Sequence, residues 1–323
     1  MSKASLQRLR PNSVLVIDGS YLLHRSMHVP GAMSGPHGQP VGAARMCLSS
    51  LTSIVRNLLP SRVFWVHDRQ HHPQRLALYP QYKEKQFKDE EEQRESEEYR
   101  EVYHAQRDLL LSVLPYFGVH VINGPYESDD SIWYLTNVMT QYQIPSVIVT
   151  EDRDFTQILS DSVWIYAPHK EKMITADNWT EFSKWSPTQV VLAKAILGDP
   201  SDNIPSPCKG LGPTGLKKLF MEMSDSSVAT AARVVTEQFS TKKKYASILE
   251  ESTQVDIGRN VQLISFDAGL TFTDESERNY VWAECCAQSS HNMQAVMQFL
   301  AQYEMNMLLR TYGLWTHSFG VLS

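Results

Sequence analysis

Nine acidic side chains stand at separate points of this 323-residue chain, most of them directly after a short apolar run. Short apolar runs are typical of buried strands, and the carboxyl ends of neighbouring parallel strands meet in one crevice. Anions gathered there repel one another unless cations lie among them, and all-oxygen ligands favour Mg²⁺ or Mn²⁺ over zinc. The sequence therefore predicts a divalent-metal site for phosphoryl transfer. The nine residues are Asp18, Asp68, Glu127, Asp129, Asp130, Asp152, Asp154, Asp199 and Asp202.

Each acidic motif also has a structural explanation when it is taken alone. Asp18 can cap a helix, the acids at 127–130 can meet the positive end of a helix dipole, and 199–205 can form a capped turn. Two other metal-binding families begin similarly. A haloacid-dehalogenase-type phosphatase needs an aspartate where this chain has Ser20, and a metal-ion-dependent adhesion site needs a serine where it has Leu22. The ordered occurrence of all the motifs favours one shared site.

Short strands that alternate with helices are predicted to position these acids. This alternation indicates an α/β fold with a mostly parallel central sheet flanked by helices. Predicted helices cover 41–59, 102–114 and about 127–142, whereas the charged stretch 84–101 is either a solvated helix or a mobile segment. The predicted strands are 14–17, 62–66, 118–122, 146–150 and 163–166.

Strand patterns end near residue 187, and helices separated by Gly- and Pro-rich turns follow. We therefore predict two regions, 1–187 and 188–323. A glycine-rich turn in the second region leads into a basic helix, which suits a phosphate group but is also explained by a simple helix hairpin. Lysines beside this turn favour binding to the phosphate backbone of a nucleic acid, without preference for its base sequence. The residues predicted to make these contacts are Lys209, Gly210, Gly212, Thr214, Gly215, Lys217 and Lys218.

The bulk composition permits a nucleic-acid partner. The net charge of −6 argues weakly against one, but setting the nine acids aside leaves 27 of the 36 acidic residues against 30 basic ones. No run of about 18 apolar residues is present to cross a membrane, and the N-terminus lacks the apolar stretch of a secretion signal. The four cysteines have neither metal-site nor disulfide-framework spacing, which fits a reducing, cytoplasmic location.

Taken in order, these motifs resemble those of the flap endonuclease and 5′-3′ exonuclease superfamily. Its members include bacteriophage-type 5′-nucleases and the 5′-nuclease domain of bacterial DNA polymerase I. The most distinctive motif is Gly-Asp-Pro-Ser-Asp-Asn-Ile-Pro at 198–205. It follows Val-Ile-Asp-Gly at 16–19, Tyr-Glu-Ser-Asp-Asp at 126–130 and Thr-Glu-Asp-Arg-Asp at 150–154. The resemblance covers about residues 13–310.

The resemblance implies a PIN-like nuclease core with a helical arch at about 69–105 and a helix–turn–helix at about 190–222. It implies a structure-selective, metal-dependent 5′-nuclease that hydrolyses phosphodiester bonds at 5′ ends and 5′ flaps of DNA, or RNA primers, in replication or repair. Two or more Mg²⁺ ions are expected, with Mn²⁺ as a substitute, and a K⁺ ion in the helix–turn–helix turn. A monomer that works with a polymerase or a single-strand-binding protein is expected. The alternative is a catalytically idle branched-DNA binding module on the same fold.

The resemblance also implies a role for each site residue. One ion would be held by Asp18, Asp68, Glu127 and Asp129. The other would be held by Asp129, Asp152, Asp154 and Asp202, with Asp130 and Asp199 acting through water. Lys83 would assist at the scissile phosphate, Arg75 would stand at the base of the arch, and Tyr82 would stack near the displaced nucleotide. The chain departs from the family pattern in a stretch before Gly210 that is one residue longer, in Thr214 for lysine and in Glu151 for glycine.

Overall fold

The computed structural model of the protein describes residues 12–28, 34–267, 272, 275–286 and 291–312. The N-terminal residues 1–11, where no secretion signal is predicted, and residues 313–323 of the predicted second region lie outside them. The strands are β1 (Val14–Asp18), β2 (Arg62–Val66), β3 (His120–Ile122), β4 (Ser146–Val149), β5 (Val163–Ala167) and β6 (Lys172–Ile174).

Helices make up most of the remaining described chain. The α-helices are α1 (Gly19–Met27), α2 (Gly42–Leu58), α3 (Pro73–Leu78), α4 (Glu90–Val113), α5 (Ser128–Gln141), α6 (Val190–Leu197), α7 (Pro213–Phe220), α8 (Val228–Val234), α9 (Lys243–Ala246), α10 (Glu251–Ile264), α11 (Glu275–Cys286), α12 (Met293–Gln302) and α13 (Asn306–Thr311). Single 3₁₀ turns lie at Leu114–Phe117, Arg153–Ile158, Trp179–Glu181, Pro200–Asp202 and Ser247–Leu249, and a π-helical turn lies at Val235–Phe239. None of the described helices has both the length and the apolar character needed to cross a lipid bilayer.

The strands form one six-stranded sheet in the order β3-β2-β1-β4-β5-β6, which confirms the predicted α/β class. All pairings are parallel except that of β5 with β6. β1 is buried along its whole length, as expected for a central parallel strand covered on both faces. The order of connection reverses between β1 and β4, and in open α/β sheets such a point opens a crevice at the carboxyl ends of the strands.

The two faces of the sheet carry separate apolar layers. Leu15 and Ile17 point towards α1, α2 and α4, whereas Val14 and Val16 pack on the side of α5. A third apolar cluster holds α6, α7, α8 and α10 together, beyond the predicted boundary near residue 187. This third cluster forms the helical lobe, which we define as residues 188–264.

The predicted elements agree with the observed ones except at a few points. The five predicted strands are present, with β3 starting later because Gly118 has φ +78° and ends the preceding 3₁₀ turn. β6 is a short antiparallel edge strand that no apolar alternation indicates. The stretch 84–101 adopts the solvated-helix alternative from Glu90 onwards, and it is continuous with the predicted helix 102–114. Asp89 caps it, because its Oδ1 accepts a hydrogen bond from the Glu92 N–H at 2.8 Å.

Candidate active site

Asp18 lies at the carboxyl end of β1 and caps α1. Its Oδ1 accepts a hydrogen bond from the Tyr21 N–H at 3.0 Å, and its Oδ2 accepts one from Thr150 Oγ1 at 2.9 Å. A side chain at Gly19 would approach Trp65 Nε1 to 2.3 Å, so only glycine lets the chain turn directly after Asp18. Burial, despite the bond from the Tyr21 amide, raises the pKa of Asp18 to about 7, and the charge of Asp68 adds to the rise.

Asp68 follows β2 and is fixed by two serines that the sequence did not single out. Its Oδ1 accepts hydrogen bonds from the Ser128 N–H and from Ser128 Oγ, each at 2.8 Å. Its own N–H donates to Ser20 Oγ at 2.8 Å. These bonds tie the end of β2 to the first turns of α1 and α5, and they bring the acids of three elements together.

Asp129, on the first turn of α5, faces this group directly. Burial raises its pKa well above the ordinary aspartate value, and the charges of Asp152, Asp18 and Asp68 raise it further. Lys83 lowers the pKa in part but is not within ion-pair distance. Asp129 therefore lies among like charges rather than beside a cation.

Glu127 and Asp130, which flank Asp129, do lie beside cations. The buried Arg75 guanidinium donates to both oxygens of Asp130, at 2.7 and 2.8 Å. Glu127 Oε2 accepts hydrogen bonds from Lys83 Nζ at 2.6 Å and from Tyr82 Oη at 3.1 Å. Burial tends to raise the pKa of Glu127, but a hydrogen bond from a neighbouring histidine and the charges of Lys83 and Arg75 outweigh it and bring the pKa below the ordinary value.

The turn that carries Tyr82 and Lys83 is locked to the helical lobe. The Lys83 N–H donates to the Asp202 carbonyl at 2.9 Å, and Asn203 Nδ2 donates to the Gln81 carbonyl at 2.8 Å. Lys83 has φ +54°, a conformation that non-glycine residues seldom adopt and that clusters at functional sites. Tyr82 is only 3% exposed, so no face of its ring is open to a nucleobase in this structure.

A second group of acids follows β4 and enters the helical lobe. Asp152 caps the 3₁₀ turn after β4, with its Oδ1 accepting from the Asp154 N–H at 2.8 Å. One carboxylate oxygen from each of Asp154, Asp199 and Asp202 lies within 4.8 Å of the others. Burial and the charge of Asp152 raise the pKa of Asp154 to about 6. Three oxygens at this spacing can hold a divalent cation.

Lys194 is a site residue that the sequence analysis missed. Its Nζ contacts Asp154 Oδ1 and lies 2.5 Å from Asp199 Oδ2. Burial tends to raise the pKa of Asp199, but the Lys194 ammonium outweighs it and lowers the pKa. The signal was present, since Lys194 is the one charged residue in the otherwise apolar helix α6. A charge in such a helix is costly unless it has a partner.

The nine predicted acids thus divide into two sets. The unpaired carboxylates have no Lys, Arg or His nitrogen within 4.0 Å among the residues that the structure describes, whereas the cation-paired carboxylates do. The cation-paired set is Glu127, Asp130, Asp154 and Asp199. The unpaired set is Asp18, Asp68, Asp129, Asp152 and Asp202. Four of the unpaired acids, Asp18, Asp68, Asp129 and Asp152, act on one another electrostatically. Such a group of carboxylate oxygens without a protein cation fits a hard divalent cation such as Mg²⁺.

The residues predicted to contact a phosphate backbone lie in the helical lobe. Lys209, Lys217 and Lys218 are exposed around the turn between α6 and α7. Gly210 has φ +84° in that turn, which favours glycine. Gly215 is buried, and its carbonyl accepts a hydrogen bond from Tyr245 Oη at 2.9 Å, so it shapes the turn rather than its surface. Thr214 and Gly212 are exposed at the start of α7.

Comparison with known proteins places these features in context. Residues 13–184 match the family model described as 5′-3′ exonuclease, N-terminal resolvase-like domain. The chain is 29% identical over 211 residues to a 5′-3′ exonuclease of Mycoplasmopsis pulmonis, which is 64% of this chain and 65% of that protein. It is 24% identical over 281 residues to a 5′-3′ exonuclease of Mycobacterium tuberculosis, which is 82% of this chain and 87% of that protein. The chain spans a little under two thirds of the Mycoplasmopsis relative.

Two solved structures have the same fold. The bacteriophage T5 D15 protein, co-crystallised with metal ions, superposes with a TM-score of 0.67 at 18% identity, over 84% of this chain and 98% of that one. Human GEN1 in complex with Holliday junction DNA superposes with a TM-score of 0.54 at 13% identity, over 96% of this chain and 71% of that one. At these identities, the likeness is one of fold.

Proposed function

We propose that this chain, which belongs to the family of 5′-3′ exonucleases with an N-terminal resolvase-like domain, is a structure-selective, metal-dependent 5′-nuclease. The observation that carries the proposal is the group Asp18, Asp68, Asp129 and Asp152 at the carboxyl edge of one sheet, where these acids act on one another electrostatically. The cluster of Asp154, Asp199 and Asp202 continues this group into the helical lobe. A protein that only binds DNA gains nothing from mutually repelling carboxylates, whereas a metal-dependent hydrolase needs them.

The substrate we propose is DNA with a 5′ end or a 5′ flap, or the RNA primer attached to it. Three exposed lysines, Lys209, Lys217 and Lys218, would contact the phosphates of the duplex without reading its sequence. The helices α3 and α4 would form the predicted arch over the single-stranded 5′ end. The predicted K⁺ ion would lie at the turn that contains Gly210. The monomeric state, the cytoplasmic location and a polymerase or single-strand-binding partner stay predictions.

The unpaired carboxylates, joined by Asp154 of the cation-paired set, would hold the metal ions. Asp18, Asp68 and Asp129 would bind one ion. Asp152, Asp154 and Asp202 would bind the other, for which Lys194 competes at Asp154. Bound Mg²⁺ would supply an activated water and charge stabilisation for the leaving 3′ oxygen. The chain's own contribution is to hold these oxygens fixed, through the donors described above, so that no reorganisation is needed when the substrate arrives.

The cation-paired residues would position this centre. Lys83 is partly exposed and would reach the scissile phosphate from its place beside Glu127. Arg75 is 2% exposed and both oxygens of Asp130 are occupied by it, so this pair would brace α5 instead of contacting metal-bound water. The burial of Tyr82 changes its proposed role from base stacking to orienting Glu127.

Cleavage of a 5′-labelled flap duplex tests the proposal. We expect a Mg²⁺-dependent cut near the flap junction, absent with EDTA and absent in Asp154→Ala, while the variant still binds the flap. Arg233→Ala, a change of an exposed residue in the helical lobe, serves as the control and should cut normally. Tight flap binding without any cut, in Mg²⁺ or Mn²⁺, would contradict the proposal and favour an idle branched-DNA binding module.

A further inference from the structure

A cavity of about 340 Å³ opens on one side of Asp68. It lies between the ends of β2 and β3, the carboxyl half of α4 and helix α11. A volume of this size is at the small end of the range for ligand pockets, and it suits a single nucleotide unit rather than a duplex. The lining residues are His67, Asp68, Arg69, Arg107, Leu111, Asn123 and Tyr280.

The position of this cavity relative to the acids is set by the order of the strands. Asp68 belongs both to the cavity wall and to the acid cluster, which extends from β2 across β1 to Asp152 and Asp154 after β4. The helical lobe joins the cluster at that second end, through Lys194 and Asp202. The cavity therefore lies beyond β2 on the side of the edge strand β3, at the end of the cluster opposite the lobe.

The polar groups of the wall suit a phosphate. Arg69 is exposed, and no carboxylate oxygen lies within 4.0 Å of its side chain among the described residues. Within the described residues, Arg107 makes an ion pair only with its chain neighbour Asp108, at 2.8 Å, and 24% of its side chain is exposed. His67 is 7% exposed, and its Nδ1 has no hydrogen-bond partner in the described chain. A buried polar atom without a partner carries a cost that a ligand or water can remove.

The rest of the wall offers a surface for a base or sugar. The Tyr280 side chain is 42% exposed on α11, and an exposed aromatic ring can stack on an unpaired base. Leu111 adds apolar surface. Asn123 is already engaged, because its N–H and Nδ2 donate to Glu284 at 2.7 and 3.0 Å, and this bond fixes α11 against the end of β3.

We propose that this cavity is a subsite for the single-stranded 5′ portion of the substrate, with Arg69 and Arg107 binding its phosphates one or two nucleotides beyond the scissile bond. This proposal rests on the proposed function and names the residues that would hold the single-stranded 5′ portion of the DNA. The duplex lies on the helical lobe, the scissile phosphate lies at the acids, and the displaced strand continues past Asp68 into the cavity. The subsite would favour substrates with a 5′ single strand over substrates that end at the cleavage site.

Fluorescence anisotropy in Ca²⁺, which binds oxygen ligands as Mg²⁺ does, tests this subsite, and the DNA is checked after each titration to verify that it is uncut. Two duplexes are compared, one with a 5′ flap of several nucleotides and one without a flap, on the wild type and on the double variant Arg69→Ala/Arg107→Ala. The control is Arg56→Ala/Arg62→Ala, which removes two exposed arginines at the opposite, amino-terminal edge of the sheet. Flap cleavage by the wild type is measured separately with Mg²⁺.

The double variant should lose about tenfold in affinity for the flap duplex and less than twofold for the unflapped one, and the control should change neither. The salt dependence of flap binding should also weaken, with a decrease of about 1.4 in the slope of log K against log salt concentration, as expected for two lost single-strand phosphate contacts. Unflapped binding also verifies that the variant is folded.

Equal affinity of variant and wild type for the flap duplex, or equal losses on both duplexes, would overturn the subsite while leaving the nuclease proposal standing if the wild type cuts flaps. A wild type that neither cuts flaps nor distinguishes the two duplexes would overturn both proposals.

Discussion

Asp129 and Asp130 are neighbours on the first turn of α5, but within the described chain only Asp130 pairs with a cation. Asp130 is buried against the Arg75 guanidinium, which donates to both of its oxygens. Burial raises the pKa of both residues, but the charges of Asp152, Asp18 and Asp68 add to the rise at Asp129, whereas Arg75 opposes it at Asp130. The same contrast divides the rest of the site, because the described part of the protein provides a cation beside some carboxylates and none beside the others.

The way the unpaired carboxylates are held explains how the fold tolerates them. Asp18 and Asp68 accept hydrogen bonds from neutral donors, the amides of Tyr21 and Ser128 and the hydroxyls of Thr150 and Ser128. Neutral donors orient a carboxylate without cancelling its charge. The repulsion that remains is a cost to the folded state that a bound cation removes. Pairing with Arg75 and Lys83 therefore serves the structure at Asp130 and Glu127, and its absence at Asp18, Asp68 and Asp129 suits a metal ion.

Replacing Asp129 or Asp130 by asparagine is expected to have the largest effects, on cleavage rate and on stability respectively. Asp129→Asn should lower the cleavage rate by about 10³-fold or more, since a metal ion supplies several kcal/mol of transition-state stabilisation, and should raise the free energy of unfolding without metal. Asp130→Asn should lower that free energy by roughly 3 kcal/mol, because it leaves Arg75 buried without its charge partner. Flap cleavage assays measure the rate, and urea unfolding measures the free energy of unfolding of each variant. Equal effects of the two changes on stability would remove the distinction between the sets.

Lys83→Ala should have the next largest effect. The loss of a preorganised cation at the scissile phosphate should reduce the single-turnover rate by about 10²-fold, with less than a threefold change in flap affinity. Lys83→Arg is the matched control and should recover part of the rate, since it keeps the charge beside Glu127. Single-turnover kinetics and anisotropy separate the two quantities. Equal losses in rate and affinity would assign Lys83 to binding only.

Lys194→Gln tests the lysine that lies beside the carboxylates of Asp154 and Asp199. Its ammonium contacts Asp154 and Asp199 and competes with a metal ion for their oxygens. We expect the variant to bind Mg²⁺ about fivefold more tightly, equivalent to roughly 1 kcal/mol for a partly exposed ion pair. Isothermal titration calorimetry measures this. Weaker Mg²⁺ binding in the variant would instead show that Lys194 is needed to orient the two carboxylates.

The smallest expected effect is on thermal stability and depends on pH. The pKa values of Asp18, about 7, and Asp154, about 6, lie above the ordinary aspartate value of 3.8. The folded state therefore binds protons more tightly than the unfolded state, and without metal its stability falls as pH rises from about 4 to 7. Mg²⁺ should raise Tm by about 5 °C at pH 8, at a hundred times its Kd, and by much less at pH 5, where protons compete.

Calorimetry with EDTA and with Mg²⁺ at both pH values measures this difference. Asp129→Asn serves as the control and should lose most of the Mg²⁺ effect at pH 8. An equal rise in Tm at pH 5 and pH 8 would show that these two carboxylates do not bind the ion.

The sheet and the acid cluster could be predicted because both depend on local sequence patterns. Apolar runs that end in an acid, such as Val14–Asp18, specify a buried strand and the side chain at its carboxyl end. The helix α4 could be predicted only as one of two alternatives, since its first half has few apolar anchors. Packing of Tyr103 against His24 on α1, at a ring distance of 4.2 Å, is a long-range contact that helps to fix it.

The partners of the acids could not be predicted, because pairing depends on distances across the fold. Nothing in the local sequence joins Arg75 to Asp130 or Lys194 to Asp154, which are 55 and 40 residues apart. The resemblance to a nuclease family indicated which acids belong to the site, and the structure showed which of them have a cation beside them. The burial of Tyr82 could not be predicted for the same reason, because it arises from the contact of its turn with the helical lobe.

Anomalous X-ray scattering from Mn²⁺ bound to crystals of this protein in complex with flap DNA tests the central claim most directly. The account predicts a peak bounded by the oxygens of Asp18, Asp68 and Asp129, with the Arg75–Asp130 pair intact. A site that excludes these unpaired carboxylates, or a Mn²⁺ ion that displaces Arg75 from Asp130, would contradict it.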